Sequence, residues 1–193
     1  MPPSSRADII VVRDPTKAAA VRAADCAPLV IVDTGTGAVA AAHAGWRGMA
    51  LRVPAVAVEA IVRAGGSRPA DLLVAIGPSI GACCYEVGPD VRDAFETQFT
   101  DEQIGRWFLD RPSGDARNPS WRRMEAAPRP GHWYFDGWAA VREQLMEAGV
   151  PAEQIFLAGL CTASHAEVFC SHRRDGPPAG RMVGVVRPAP LHP

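Results

Sequence analysis

Cys26 and His43 are the two side chains on which chemistry could turn. Each stands at the outer end of an apolar run, Cys26 before Leu29 to Val32 and His43 after Ala38 to Ala42, with Gly35 and Gly37 marking a turn between the runs. In an antiparallel hairpin the start of the first strand lies beside the end of the second, so a thiol and an imidazole are carried to one end of a sheet. Such a pair suits a soft metal, or a nucleophile and its base. Asp25 adjoins the cysteine and is a candidate catalytic residue, able to orient or deprotonate a neighbour. After His43 the run Ala-Gly-Trp-Arg-Gly opens into a helical composition, which puts Arg47 at a helix start, where backbone N–H groups and a guanidinium attract an anion. A lone Cys at a strand edge is ordinarily a small buried hydrophobe, and a lone His a hydrogen-bonded structural residue. The company of Asp25 and Arg47, and the turn that gathers them, favours chemistry.

Further motifs follow in order: Ile-Gly-Pro-Ser-Ile-Gly-Ala-Cys-Cys-Tyr-Glu-Val-Gly at 76–88, Tyr-Phe-Asp at 134–136, Cys-Thr at 161–162 and Ser-His-Arg-Arg-Asp-Gly at 171–176. With Ala-Asp-Cys-Ala-Pro at 24–28 and His-Ala-Gly-Trp-Arg-Gly at 43–48, this ordered set resembles the YfiH-type family. That family was long labelled polyphenol oxidase or laccase domain and has since been described as purine nucleoside phosphorylases. The resemblance covers nearly the whole chain as one domain, residues 1–193, lacking the family's N-terminal segment. It implies an α+β fold of mixed β-sheets layered between helices, similar to that of a toxin deamidase. It also implies phosphorolysis of purine nucleosides of the adenosine and inosine type, with adenosine deamination alongside.

For the metal, the resemblance implies zinc, with copper less favoured, and Cys26 and His43 as ligands. The family's third ligand is a His of the N-terminal segment, and no His precedes Cys26 here. Cys83, Cys84 and His172 are the available substitutes, and without one both metal binding and activity are expected to be weakened. Phosphate calls for guanidinium groups, which makes Arg47, Arg173 and Arg174 the candidates. Glu86 is a weaker alternative acid or base. A true laccase needs paired His-x-His ligands, and none of the five histidines forms such a pair. The rival readings are a cysteine hydrolase using Cys26 and His43, and a non-catalytic binding remnant.

The elements that must position these residues are readable in outline. Residues 7–12 form a first strand, and residues 18–24 are ambiguous between strand and helix. A helix from Pro54 to Arg63 shows an apolar face of Val56, Val58, Ala60 and Ile61 and ends at Gly65-Gly66. Leu72 to Ile76 is a continuous apolar run and reads as a buried strand. The loop carrying Gly77, Gly81 and Gly88 is suited to close backbone approach. A helix spans Asp90 to Phe99, the stretch 100–131 is a mobile insertion in which Trp107, Phe108 and Trp121 hint at packing, and a strand covers Trp133 to Phe135. Asp136 caps a helix from Gly137 to Ala148, Ile155 to Ala158 is a buried strand, and Glu167 to Arg173 pairs with Arg181 to Arg187 as a hairpin.

Composition excludes several classes. With 193 residues, 48% hydrophobic, the chain can bury a core of its own. A net charge of −1 offers no electrostatic case for nucleic acid or an anionic membrane. The N-terminus lacks the apolar core of a signal peptide and no stretch is long enough to span a bilayer, so a cytoplasmic location is expected. Five cysteines, two of them adjacent, argue for reduced thiols rather than a disulfide framework. The oligomeric state is not written in the sequence.

Overall fold

The glycine-marked hairpin is the spine of the protein. In the computed structural model, which describes residues 7–66, 68–114 and 127–188, β1 (Ile9–Val12) and β2 (Ala19–Ala23) precede the hairpin strands β3 (Ala27–Asp33) and β4 (Val39–Ala44). The turn is closed by the buried Asp33 carboxylate, which accepts from Gly35 N (2.8 Å), Thr36 N (3.2 Å) and the Thr36 hydroxyl. Register then sets Pro28 opposite His43 and Ala27 opposite Ala44, so Cys26 emerges at the end where β4 finishes.

One-turn α1 (Trp46–Ala50) and α2 (Val53–Gly65) follow β4, and β5 (Leu72–Ile76) returns to pair antiparallel with β3. A small sheet of β6 (Glu86–Val87), β7 (Phe108–Leu109) and β8 (Trp133–Phe135) is interrupted by α3 (Pro89–Glu96) and α4 (Asp101–Trp107). The chain ends through α5 (Gly137–Glu147), β9 (Ile155–Leu157), one-turn α6 (His172–Asp175) and β10 (Met182–Val186). The main sheet runs β1-β4-β3-β5-β9, antiparallel except for the β5–β9 pair. The class is α+β, as expected. In β4 both faces are buried, which explains its run of small alanines. Ala40 and Ala42 join the core to which α2 contributes Ala57, Val58 and Ile61, and Ala41 meets Ala19 and Val21 of β2. The same core continues into an aromatic group, Phe95, Phe99, Trp107, Phe108 and Phe135, which joins α3, α4 and the small sheet with ring centroids 4.9–6.1 Å apart.

Several expectations need correction. Residues 19–23 are a strand because β10 pairs with them, Met182 opposite Ala23 and Val186 opposite Ala19. The expected C-terminal hairpin is therefore absent: residues 172–175 form α6, started by the Ser171 side chain accepting from Arg174 N (3.2 Å). Leu72 to Ile76 alternates between buried and exposed, as does an antiparallel strand with one open face, and Phe156 and Leu157 of β9 are largely exposed. Val56 of α2 points outward while Pro54, Ala55, Ala57, Val58 and Ile61 are buried. Within 100–131, α4 and β7 are ordered parts of the core, with Trp107 fully buried, and the Thr100–Gln103 capping box starts α4. Trp121 lies outside the described residues.

Candidate active site

A cavity of about 460 Å³ opens at the head of the hairpin. Asp8, Asp25, Cys26, His43, Arg47, Tyr85, His172 and Arg173 contribute to its wall. Cys26 and His43 meet there across Gly45: a Cβ on that glycine would stand 2.9 Å from Cys26 Sγ and 3.7 Å from His43 Cε1. The space that a side chain would fill at position 45 is used by the thiol. His43 Nδ1 lies 3.2 Å from Asp8 Oδ1, and His43 N donates to the Asp8 carbonyl (2.8 Å), so the imidazole is oriented by the residue just before β1.

Asp25 is held in the left-handed region at φ 81°, where a side-chain-bearing residue pays strain. Three ties hold it. Its Oδ1 accepts from the Thr162 hydroxyl (2.6 Å), its Oδ2 from Arg173 N (2.6 Å), and its carbonyl from Ile80 N (2.9 Å). The bend turns the chain so that Cys26 faces the cavity. Burial, with the carboxylates of Asp25 and Asp8 nearby, pushes the Cys26 thiol up, partly offset by Arg181. Burial likewise pushes the Tyr85 phenol up. That phenol feels Cys26 and Asp25 on one side and Arg173 and Arg47 on the other.

The three candidate arginines separate. Arg47 is exposed on the cavity wall with its guanidinium 4.2 Å from the Trp46 ring centroid. Because α1 is a single turn, anion attraction there rests on the guanidinium rather than on a helix dipole. Arg173 also lines the cavity, its guanidinium 5.0 Å from the Tyr85 ring centroid and donating to the Glu86 carbonyl (2.8 Å). Arg174 is not part of the wall. Its guanidinium donates to both oxygens of Asp175 and to the carbonyls of Thr162, Ala163 and Phe169. Glu86 turns its carboxylate to the backbone and side chain of Arg129, both at 2.9 Å, and is held below the usual carboxylate range by them. Cys83 and Cys84 are not in the wall either: they gather with Cys161, whose sulfur is held down by hydrogen bonds from their thiols.

The sequence of residues 2–188 matches the family model described as multi-copper polyphenol oxidoreductase laccase. The chain belongs to this family, that of YfiH. It is 40% identical over 152 residues to a purine nucleoside phosphorylase of Xylella fastidiosa, covering 79% of this chain and 50% of that one. It is 36% identical over 169 residues to adenosine deaminase RL5 of an unknown prokaryotic organism, covering 86% and 57%. The crystal structure of YfiH from Bacillus licheniformis superposes with a TM-score of 0.78 at 33% identity, over 92% of this chain and 60% of that one. The chain thus spans about half the length of the Xylella fastidiosa relative.

Tested against the zinc that a YfiH-family chain implies, the donors fit in kind. A thiol and an imidazole converge, and the Asp8 carboxylate on His43 Nδ1 leaves Nε2 for a metal, the usual outer support of a ligating histidine. In number they fall short: among the described residues, no set of three His, Cys, Asp or Glu donor atoms within 4.8 Å of one another includes Cys26 or His43. His172, a possible substitute, lines the cavity and has Nδ1 3.0 Å from the Gly176 carbonyl oxygen. Sequence reasoning missed Asp8, Tyr85 and Thr162. Tyr85 and Thr162 stand inside quoted motifs, beside the cysteines that drew attention away from them. Asp8 carries no signal beyond its place at the mouth of a strand.

Proposed function

We propose that the cavity binds a purine nucleoside and phosphate, and that the reaction is phosphorolysis of adenosine- and inosine-type nucleosides with adenosine deamination as a side activity. The observation that carries this reading is the meeting of Cys26 and His43 across Gly45, in a cavity whose wall also holds Arg47, Tyr85 and Arg173. It is supported by relatives named purine nucleoside phosphorylase and adenosine deaminase.

In phosphorolysis a phosphate oxygen attacks the anomeric carbon, the bond from that carbon to the purine nitrogen breaks, and the base leaves with its electron pair and takes up a proton. Arg47 and Arg173 supply the positive charge that draws phosphate into the cavity and offsets its charge during attack. Tyr85, kept protonated by burial, offers a hydroxyl donor and a ring face for the nucleoside. Asp25 acts through its ties, fixing the peptide that aims Cys26 and the backbone of Arg173. Arg174 braces the 162–175 loop from behind. Zinc, when bound, would be held by Cys26 and His43 and would supply Lewis-acid chemistry. A thiol pushed up in this way is a poor free nucleophile, which stands against the cysteine-hydrolase reading.

Release of adenine and of inosine from adenosine, with and without phosphate, tests the assignment. Slow turnover is expected with sub-stoichiometric zinc by elemental analysis, and Cys26→Ala should abolish both. Arg47→Ala should raise KM for phosphate several-fold, with a smaller change for nucleoside. Turnover that survives Cys26→Ala, or no turnover of any purine nucleoside, overturns the proposal.

A further inference from the structure

Behind the cavity wall the structure gathers three sulfurs that the nucleoside reading does not use. Cys83 and Cys84 sit on a tight turn closed by Cys84 N and Tyr85 N donating to the Gly81 carbonyl (2.9 and 3.1 Å). Cys161 arrives from the far end of the chain, on a segment bridged to Ser79 through Ser79 N to the Leu160 carbonyl and Thr162 N to the Ser79 carbonyl, both 3.2 Å. The three Sγ atoms lie within 4.8 Å of one another. Gly81 N donates to Cys161 Sγ at 3.3 Å, the kind of backbone support that metal-bound thiolates receive. A glycine is required there, because a Cβ at position 81 would stand 2.8 Å from the Trp138 ring. Ile80, Tyr85, Trp138 and Ala163 enclose the group, and Cys83 and Cys161 are themselves buried.

We propose that Cys83, Cys84 and Cys161 form a metal site of their own, distinct from Cys26 and His43, which takes Cu(I) through three thiolates. Sulfurs bound to one metal at roughly 2.3 Å stand roughly 4 Å apart, and the three Sγ atoms are already gathered within 4.8 Å of one another, close to that spacing. Coordination number selects the ion. Structural zinc wants a closed shell of four protein ligands, and among the described residues no fourth His, Cys, Asp or Glu donor joins this group. Cu(I) is soft, prefers thiolates and is satisfied by three. Each ligating thiol gives its proton to solvent and the metal keeps its oxidation state. Packing of three thiols as small hydrophobes accounts for their burial but not for a backbone N–H aimed at one sulfur. The site also has a mechanical consequence. It would staple the 81–84 turn to the residue preceding Thr162, whose hydroxyl holds Asp25.

The test is anaerobic titration of the reduced chain with Cu(I) in competition with a chromophoric Cu(I) chelator, joined to X-ray absorption of the loaded, unsubstituted protein. One Cu(I) should be held by the unsubstituted chain and by Cys26→Ala. Cys161→Ser and Cys83→Ser should each weaken binding by more than the roughly 10–100-fold that loss of an outer-shell partner costs. The absorption spectrum, which needs no variant to fold, should show three sulfurs and no nitrogen around copper. A mixed sulfur and nitrogen shell, loss of copper in Cys26→Ala, or equal affinity in all variants overturns the proposal.

Discussion

Asp25 joins three parts of the site through one residue. It accepts two short hydrogen bonds from groups 137 and 148 positions away while holding φ at 81°. Asp25→Asn keeps the shape but turns an amide NH2 toward at least one donor, Thr162 Oγ1 or Arg173 N. Hydrogen bonds to a charged partner are worth about 1.5–3 kcal/mol, so urea unfolding of Asp25→Asn should show a loss of about 2–3 kcal/mol. Thr162→Val should lose less, because it removes one tie and leaves the other. Equal stability of Asp25→Asn and the unsubstituted chain would show that these ties do not hold the bend.

At the scale of elements, the hairpin does the positioning, and Gly45 is where its precision can be tested. Gly45 has an ordinary φ of −79°, so alanine there meets no backbone strain, only the Cys26 sulfur at 2.9 Å. Gly45→Ala should therefore leave the thermal midpoint within a few degrees of the parent while displacing the thiol. Misplacement on the order of 1 Å costs about 10²-fold, so kcat for nucleoside should fall by about that factor. Much of this element was legible beforehand, because a glycine turn between two apolar runs fixes register locally. What was not legible has two origins. Residues 19–23 became a strand because β10, far along the chain, pairs with them, and no periodicity within the segment encodes that partner. Ser-His-Arg-Arg-Asp-Gly became a helical turn for a local reason, the Ser171 side chain accepting from Arg174 N three positions on, a cap that competes with the turn its Asp-Gly suggests.

At the scale of the whole molecule, burial keeps two acidic protons, those of Cys26 and Tyr85, on the fold. The Cys26 thiol and the Tyr85 phenol are both pushed above their ordinary values of 9.0 and 10.0, chiefly by burial. Above the ordinary thiol value the unfolded chain releases a proton that the folded chain retains, and above the phenol value it releases a second. The unfolded state then binds fewer protons, so stability must fall as pH rises, being fully present below about 9. Urea midpoints of the metal-free chain at about pH 8 and about pH 10.5 should differ in that direction, with Tyr85→Phe reducing the difference. The α+β class, the family and the Cys26–His43 pairing were all within reach of the sequence. The separation of the three cysteines from the cavity, and of Arg174 from Arg173, was not. Which neighbour along the chain faces a cavity depends on backbone turns such as that at Asp25, which residue type alone does not specify.

The two long-range ties of Asp25 also set a timetable for synthesis. The hairpin can close as soon as residue 44 has left the ribosome, since all its ladder partners lie within 27–44. The bend that aims Cys26 must wait until Thr162 and Arg173 have emerged. Between the synthesis of residue 44 and that of residue 173, Cys26 therefore stands at the end of the hairpin with its neighbour Asp25 not fully anchored, open to any thiol-reactive species that meets the nascent chain. Closure of the site comes only after residue 173, and a ribosome stalled before residue 162 would carry the hairpin sequence with an unfinished cavity.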